Sequence, residues 1–282
     1  MLNNIKGIAD ITLSVKDKDL ISKLLQDFGL NKNGDKYSTL DQSTIKLRSF
    51  YNNKLDKITW YAVSLDAVCQ SLKSSQIVYI DHRPNVRMIS CTFNKIEINF
   101  ILDERSSLEI IGCATNALNL ENRISKTIPH YVKAQPYEIS HIVLQVDNIL
   151  DAERFYTNLG FVVSDRLLGR GVFLRSCLND IHHRLFLIQS DKCSLHHIAF
   201  SVRDIYELLA GGKYMSSQGW IAAKGPGRHK ISSSTYWYFD TTADFMIEYS
   251  ADCDILDANW TANEYVYDLK LIQDEDFIIT SK

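Results

Sequence analysis

Apolar and polar residues alternate along several short segments of the chain, which is the pattern of strands that bury one face. Two such segments, IADITLSVKD at 8–17 and ISHIVLQVDN at 139–148, resemble each other. Each precedes a helix-like stretch that ends at a glycine suited to a helix C-terminus, Gly29 or Gly160. The two segments and the two glycines are both offset by 131 residues. The shared offset predicts that the chain contains two copies of one design.

A second repeat lies inside each copy. The segments at 57–68 and 194–205 are again rich in β-branched and aromatic residues, and each leads into a helix-like stretch with acidic residues early in it. The run at 170–190 predicts two further strands joined by a turn. We therefore predict four units, two in each half, each built from a strand, a helix and several more strands.

Length and composition favour a two-domain globular protein that acts on a small partner. We place the domains at 1–115 and 136–282, with a connector at 116–135 that lacks clear strand alternation. Charged residues make up 23% of the chain and the net charge is −3, so nothing indicates a nucleic-acid partner or a membrane surface. The chain shows no signal peptide and no apolar run long enough to span a bilayer, so we expect a cytoplasmic protein.

The cysteines are widely spaced and form no Cys-x-x-Cys pair. We expect them to be buried, reduced thiols rather than a disulfide framework or a zinc site. They are Cys69, Cys91, Cys113, Cys177, Cys193 and Cys253.

The motif FYTNLGF at 155–161, together with the repeated units, resembles the vicinal oxygen chelate superfamily. That superfamily includes glyoxalase I, bleomycin-resistance proteins and type I extradiol dioxygenases. The resemblance covers nearly the whole chain. It implies an α+β fold of tandem βαβββ modules, two per domain, that form two open mixed β-barrel domains.

The resemblance also implies a metal site in the C-terminal half. The positions that hold ligands in this architecture are occupied by His141, His197 and Glu248. Two imidazoles and one carboxylate form the facial triad that suits Fe(II), and Mn(II) is an alternative. A lone histidine on a strand is more often structural than a ligand, but a buried carboxylate such as Glu248 needs a partner. All three residue types in all three expected places favour the metal.

Two comparisons within the sequence refine this assignment. Because neighbouring strand residues face opposite sides, we expect His197 to face His141 and His196 to point away. The matched N-terminal positions hold Asp10, Trp60 and Asn99, which do not form such a triad. We therefore expect one metal ion per chain.

Extradiol dioxygenases resemble one another in three further positions, and here these hold His182, His229 and Tyr238. The resemblance implies that His182 lies on the dioxygen side and transfers a proton, while His229 and Tyr238 hydrogen-bond the substrate oxygen. Each of the three could instead be structural, since histidine and tyrosine have many such uses.

The turn before the glutamate departs from the family pattern. The chain has Trp237, Thr242 and Asp244 where these enzymes commonly have an aliphatic residue, a proline and a glycine. Aspartate tolerates the left-handed conformation, so we expect the turn to survive. The acidic segment at 251–260 is expected to form a surface tail.

The resemblance implies an extradiol dioxygenase that binds a small aromatic diol and O2 and forms a homo-oligomer. Two alternatives within the superfamily are a glyoxalase-type isomerase, which needs a fourth protein ligand, and a metal-free binding or resistance protein. A hydroxyphenylpyruvate-type oxygenase shares the iron ligands but does not need His182 and His229. The identity of the aromatic substrate is left open.

Overall fold

In a computed structural model, the described residues are 4–83, 85–112, 130–267 and 275–276. Within them the chain forms short helices interspersed among many strands. In chain order the elements are β1 (Ile5–Val15), α1 (Lys18–Asp27), β2 (Asn31–Asn33), β3 (Lys36–Ser38), β4 (Thr44–Ser49), β5 (Lys54–Ala62), α2 (Leu65–Ser74), β6 (Tyr79–Asp81), β7 (Met88–Phe93), β8 (Ile96–Leu102), β9 (Glu138–Val146), α3 (Ile149–Asn158), β10 (Val162–Leu168), β11 (Gly171–Arg175), β12 (Asp180–Ile181), β13 (Leu185–Gln189), β14 (Ser194–Ser201), α4 (Ile205–Ser217), β15 (Ala222–Arg228), β16 (Thr235–Asp240), β17 (Met246–Ala251), β18 (Ile255–Leu256), β19 (Asn263–Val266) and β20 (Glu275–Asp276).

Each of these helices begins directly after a side chain that accepts a hydrogen bond from the first helical turn, which satisfies a backbone N–H that has no partner within the helix. The capping residues are Asp17, Ser64, Asn148 and Asp204. The glycines predicted to follow the first helix of each half have φ values of +104° for Gly29 and +105° for Gly160. This left-handed backbone favours glycine and confirms that the two helices end where the sequence predicts.

Two mixed sheets contain the repeated units. The strand order is β2-β3-β4-β1-β5-β8-β7-β6 in the first sheet, and β10-β11-β13-β9-β14-β17-β16-β15 forms the central part of the second. Position by position the two orders are the same. The run at 170–190 contains the two predicted strands, β11 and β13, and the structure pairs them antiparallel. The α+β fold of tandem βαβββ modules is therefore confirmed, with each sheet open rather than closed into a full barrel.

The central strand pairs of the two sheets also share their register. Asp10 lies opposite Thr59 in β1 and β5, as His141 lies opposite Ala199 in β9 and β14. Both pairs interrupt their ladder at the same point, with a register shift next to Asp10 and next to His141. Asp10 is therefore the N-terminal counterpart of His141, as predicted.

The N-terminal counterpart of His197 differs from the prediction. Thr12 lies opposite Lys57 as Val143 lies opposite His197, whereas Trp60 lies three residues further along β5. The prediction of Trp60 is wrong because the segments 57–68 and 194–205 align with a shift of three residues. The lysine ammonium of Lys57 is paired with a carboxylate 3.0 Å away and offers no metal ligand.

The two halves of the chain pack against each other through aromatic side chains. The ring of Phe28, which follows α1, stacks on Tyr249 of β17 at a centroid distance of 3.8 Å, and the Tyr249 hydroxyl donates to the Phe28 carbonyl at 2.9 Å. Phe93 of the first sheet stacks on Phe155 of α3 at 4.2 Å. Burying a side chain the size of Phe28 stabilises the fold by about 1.5–3 kcal/mol. These contacts hold β17, and with it Glu248, in a fixed position.

Some expectations lie beyond what the structure describes. Most of the connector at 116–135 lies outside the described residues, so the domain boundaries stay a prediction. No helix among the described residues is long and apolar enough to cross a membrane. Cys69 and Cys91 are buried free thiols as predicted, but Cys193 is exposed, and Cys113 lies outside the described residues.

Candidate metal centre

Three neighbouring strands bring the predicted ligands together. His141 lies on β9, His197 on β14 and Glu248 on β17, and β14 pairs with both of the other strands. The Nε2 atoms of the two histidines are 3.3 Å apart, and Oε2 of Glu248 lies 3.4 Å from His141 and 3.2 Å from His197. All three side chains are buried. The three donor atoms therefore form a nearly equilateral triangle.

The size of this triangle fits a metal ion. For atoms about 3.3 Å apart, the point equidistant from all three lies about 1.9 Å from each in their plane (3.3/√3), so a small displacement from the plane reaches the roughly 2.0–2.2 Å typical of metal–nitrogen and metal–oxygen bonds. Glu248 is fully buried, yet neither of its carboxylate oxygens accepts a well-aligned hydrogen bond. A buried carboxylate without a partner is costly, and a cation would satisfy it.

The protonation states also fit metal binding. Burial lowers the pKa of His141, which keeps its imidazole neutral. Burial raises the pKa of Glu248, but the nearby imidazoles of His141, His197 and His229 outweigh burial and hold that pKa well below its usual range. Metal ligation requires neutral histidine and ionised carboxylate, so these two shifts favour the ligating forms of His141 and Glu248.

We predicted that His196 points away from the site, and this prediction is wrong. Its ring is half-buried, lines the same cavity as His197, and its Nδ1 lies 2.8 Å from the Nδ1 of His197. The β9–β14 ladder has a register shift between Leu195 and His197, and this bulge breaks the strict alternation of side chains. Burial lowers the pKa of His196 to about 4. The triangle of donors nevertheless contains His197 and not His196, as predicted.

His229 and Tyr238 lie together beside the triangle. Nε2 of His229 is 3.1 Å from the Tyr238 hydroxyl and 3.9 Å from Oε1 of Glu248. The Tyr238 ring packs on the ring of His197 at a centroid distance of 5.1 Å. The His229 backbone N–H donates to Ser234 at 2.9 Å, which fixes the loop that presents the imidazole. The structure therefore brings both predicted residues to the cavity.

His182 is not in the cavity, and its neighbour His183 is. The His182 ring is 1% exposed and its Nε2 lies 2.9 Å from Oδ2 of Asp165, whereas the His183 ring lines the cavity at a centroid distance of 4.2 Å from the His141 ring. The predicted position of His182 is thus corrected by one residue. Burial lowers the pKa of His183 well below its usual value, and the adjacent imidazoles add to the effect.

The physical reason for the correction is a strand pair that the sequence did not predict. The short strands β12 and β18 pair antiparallel, and the His182 backbone N–H donates to the carbonyl of Asp254 at 2.8 Å. Further along, the indole of Trp260 donates to the carbonyl of Ser164 at 2.8 Å. The segment at 251–260 therefore clasps the back of the site and is not merely a surface tail. This clasp turns His182 towards Asp165 and leaves His183 facing the cavity.

The altered turn before Glu248 survives as expected. Thr242 and Asp244 have φ values of +60° and +66°, the left-handed region. The Asp240 carboxylate accepts a hydrogen bond from the Thr242 backbone N–H at 2.8 Å. The spacing between β16 and β17 is therefore kept, and Tyr238 lies directly opposite Glu248 in the ladder.

The cavity in front of the triangle has a volume of about 470 Å³. Its polar groups include His183, His229 and Tyr238, which lie next to the donors, and also His196, Lys224 and Ser232. The rest of the lining is mostly apolar. The apolar residues include Val143, Leu167, Phe173, Phe186, Ile188 and Met246. Such a cavity suits a flat apolar molecule with a polar edge.

Part of the chain is similar in sequence to known proteins. Residues 138–249 match the family model described as the Glyoxalase/Bleomycin resistance protein/Dioxygenase superfamily. The match lies within the C-terminal half of the chain. Metapyrocatechase 2 of Cupriavidus necator is 31% identical over 141 residues, which is 49% of this chain and 44% of that protein. The chain thus spans less than half the length of this curated relative.

Solved structures show a similar fold over nearly the whole chain. The Mn(II)-bound glyoxalase from Novosphingobium aromaticivorans has a TM-score of 0.77 at 21% identity, over 97% of this chain and 92% of that one. The 2,3-dioxygenase LapB from Pseudomonas sp. KL28 has a TM-score of 0.75 at 16% identity, over 94% and 99%. Identities this low show a shared fold, and the activity has to be argued from the site.

Proposed function

We propose that the chain is an extradiol dioxygenase, which opens the ring of a catechol-type substrate with O2 at one Fe(II) ion. The observation that carries the proposal is the triangle of His141, His197 and Glu248 at one end of an apolar cavity. His183, His229 and Tyr238 lie next to these donors. A site that only sequestered an apolar molecule would not need three buried donors with an unpartnered carboxylate.

The donor set favours a divalent metal with open coordination positions. Two imidazoles and one carboxylate on one face are the ligands of non-haem Fe(II) oxygenases, and Mn(II) accepts the same set. When bound, such an ion supplies chelation of two vicinal oxygens and the transfer of an electron between the substrate and dioxygen. Both atoms of O2 end in the product, so no further reductant is required.

His229 and Tyr238 bind and orient the substrate in this proposal. Their hydrogen bond of 3.1 Å places an imidazole and a hydroxyl side by side next to the donors. Both groups can donate to a deprotonated catechol oxygen, which stabilises the anionic substrate. Because Tyr238 is also packed on His197, its hydroxyl is held in place before the substrate arrives.

His183 is the group that we propose moves a proton. Burial keeps this imidazole neutral, so it can accept a proton from the second catechol hydroxyl and return it as the ring opens. The apolar walls bind the aromatic ring and exclude water, and the cavity volume leaves room for ring substituents.

The formation of a homo-oligomer stays a prediction.

The test is oxygen uptake by protein reconstituted with Fe(II) under anaerobic conditions and then offered a panel of catechols. We expect uptake of one O2 per substrate, a yellow ring-opened product, and a mass gain equal to one O2 molecule with both atoms from labelled ¹⁸O2. Metal-free protein should show none of these, and Mn(II)-loaded protein tests the alternative metal. Substitution of Asp10 by asparagine, at the N-terminal counterpart of His141, is the matched control.

The same experiment separates the competing activities. A glyoxalase-type isomerase would convert a hemithioacetal without consuming O2, and it would need a fourth ligand besides His141, His197 and Glu248. Among the described residues, the group of donors that could hold one ion has these three members. A binding protein would retain catechol without metal. Either result in place of oxygen uptake would overturn the proposal.

A further inference from the structure

A chain of hydrogen-bonding groups runs from the back of the site to the cavity. Oδ2 of Asp165 lies 2.9 Å from Nε2 of His182, and Nδ1 of His182 lies 3.1 Å from Nδ1 of His183. The three side chains are at most 5% exposed, so water does not compete for these contacts. Only His183 lines the cavity. Asp165 and His182 have no place in the proposed chemistry so far.

The surroundings of Asp165 determine which atom donates in each hydrogen bond between Asp165, His182 and His183. Its Oδ1 accepts two hydrogen bonds from Asn263, from the backbone N–H at 2.7 Å and from the side-chain amide at 3.1 Å. An ionised carboxylate can only accept, so Oδ2 must receive a proton from Nε2 of His182. A neutral His182 that is protonated at Nε2 has a bare Nδ1. That bare nitrogen accepts from His183.

We infer that Asp165 and His182 are positioning residues that hold His183 in the tautomer with a proton on Nδ1 and a bare Nε2 available to the cavity. The inference deepens the proposed function and rests on it, because a bare Nε2 is what a proton acceptor for the catechol hydroxyl requires. The two rings then form an oriented pair, and the carboxylate at its far end determines which nitrogen of His183 is free. Second-layer carboxylates fix histidine orientation in other metal sites in the same way.

Substitution of Asp165 by asparagine should reverse the donor and acceptor in each of these hydrogen bonds, while the side chain at residue 165 keeps its shape. The asparagine oxygen would stay with Asn263, whose two N–H groups need an acceptor, so the new amide NH2 would face Nε2 of His182. Nε2 would then be the acceptor, His182 would carry its proton on Nδ1 and donate to His183, and the proton of His183 would move to Nε2. A wrong tautomer of this kind slows a catalytic histidine greatly even when the geometry is intact.

The direct test is a long-range ¹H–¹⁵N correlation spectrum of metal-free protein labelled at its eight histidines, which shows the proton on each ring nitrogen. The His183 signals are identified from a His183→Gln spectrum. We expect a protonated Nδ1 and a bare Nε2 in the wild type, and the reverse in Asp165→Asn. A proton on Nε2 of His183 in the wild type would overturn the inference without any variant of Asp165. Protons on both ring nitrogens of His182 would overturn it as well.

Kinetics of the Fe(II)-loaded protein supply the second arm. We expect Asp165→Asn to lower kcat about 10–100-fold while KM and metal stoichiometry stay within about twofold. Asp257→Asn, the same change at an exposed aspartate of the clasping segment, should leave all three unchanged. A fall in metal content or an equal loss in the Asp257 variant would show a structural role instead. If the tautomer is as expected but no catechol is cleaved, the proposed function fails and the hydrogen-bond chain stands.

Discussion

Nε2 of His141 and Nε2 of His197 lie 3.3 Å apart on neighbouring antiparallel strands, and Oε2 of Glu248 reaches within 3.4 Å of both from the next strand. Two imidazoles and a carboxylate at this distance can bind a cation at the point between them. The fold brings them there because the ladder register sets His141 opposite Ala199 and Glu248 opposite the same residue.

Substitution of Glu248 by glutamine should abolish metal binding. Glutamine keeps the size of the side chain but removes the charge that a divalent cation requires, so we expect the Kd for Mn(II) to rise by more than about 100-fold, beyond the effect of losing an outer-layer partner. The measurement is a Mn(II) titration followed by electron paramagnetic resonance of the free ion. Asp10→Asn should bind like the wild type. Unchanged affinity in the Glu248 variant would place the ion elsewhere.

Substitutions of His182 and His183 by phenylalanine should lower kcat by different amounts. Phenylalanine at His183 removes the group that faces the cavity, so we expect kcat to fall by about 10²–10⁴-fold, the usual contribution of an acid–base group. Phenylalanine at His182 removes only its support and should cost about 10–100-fold. Metal content, measured by elemental analysis, should be unchanged in both. A larger loss in the His182 variant would show that it, and not His183, acts on the substrate.

Much of the fold could be predicted because it depends on local patterns. Alternation of apolar residues revealed the strands, and Gly29 and Gly160 marked the helix ends where the backbone takes positive φ. The offset between the capping residues Asp17 and Asn148 is the same as that between Asp10 and His141. The number of residues between the first strand of a repeat and its helix cap is the same in both halves. The repeat therefore predicted the position of His141 in β9.

The parts of the site that could not be predicted depend on bulges and on distant segments. A register shift before His197 turns His196 into the cavity, and strict alternation cannot reveal a bulge. The clasp by the segment at 251–260 decides between His182 and His183, and that segment lies far away in sequence. The sequence does contain the information that Lys57, and not Trp60, is the counterpart of His197. Lys57 lies seven residues before its helix cap, Ser64, as His197 does before Asp204.

A buried ion pair beside the site should make stability depend on pH in the acid range. Burial raises the pKa of Asp180, but Arg184, whose guanidinium donates to it at 2.8 Å, outweighs burial and holds the pKa below its usual value. A carboxyl with a lowered pKa stabilises the fold above its unfolded pKa of about 3.9, and that contribution is lost as the pH falls below about 4. We expect Asp180→Asn to lower the free energy of unfolding at pH 7 by about 3 kcal/mol, because Arg184 loses one of its buried partners.

Urea unfolding of Asp180→Asn and the wild type at pH 7, 5, 4 and 3 measures this effect. The difference between the two proteins should shrink below pH 4, where Asp180 of the unfolded wild type becomes protonated before Asp180 of the folded protein does. Glu104→Gln, which breaks an exposed ion pair with Arg87, should change stability by no more than about 0.5 kcal/mol at any of these pH values. A difference that stays constant from pH 7 to pH 3 would show that the effect of Asp180 is not due to its charge.

The matched registers of the two sheets predict that a second metal site can be built in the N-terminal half. Asn99 lies opposite Thr59 as Glu248 lies opposite Ala199, so Asp10, Lys57 and Asn99 are the counterparts of the three ligands. We expect the triple variant Asp10→His, Lys57→His, Asn99→Glu to bind two Mn(II) ions per chain, measured as stoichiometry in the same resonance titration. A variant with Trp60→His in place of Lys57→His should bind one, because that side chain lies outside the triangle. If both triple variants bind one ion while remaining folded by circular dichroism, the equivalence of the two sheets does not extend to the positions of their side chains.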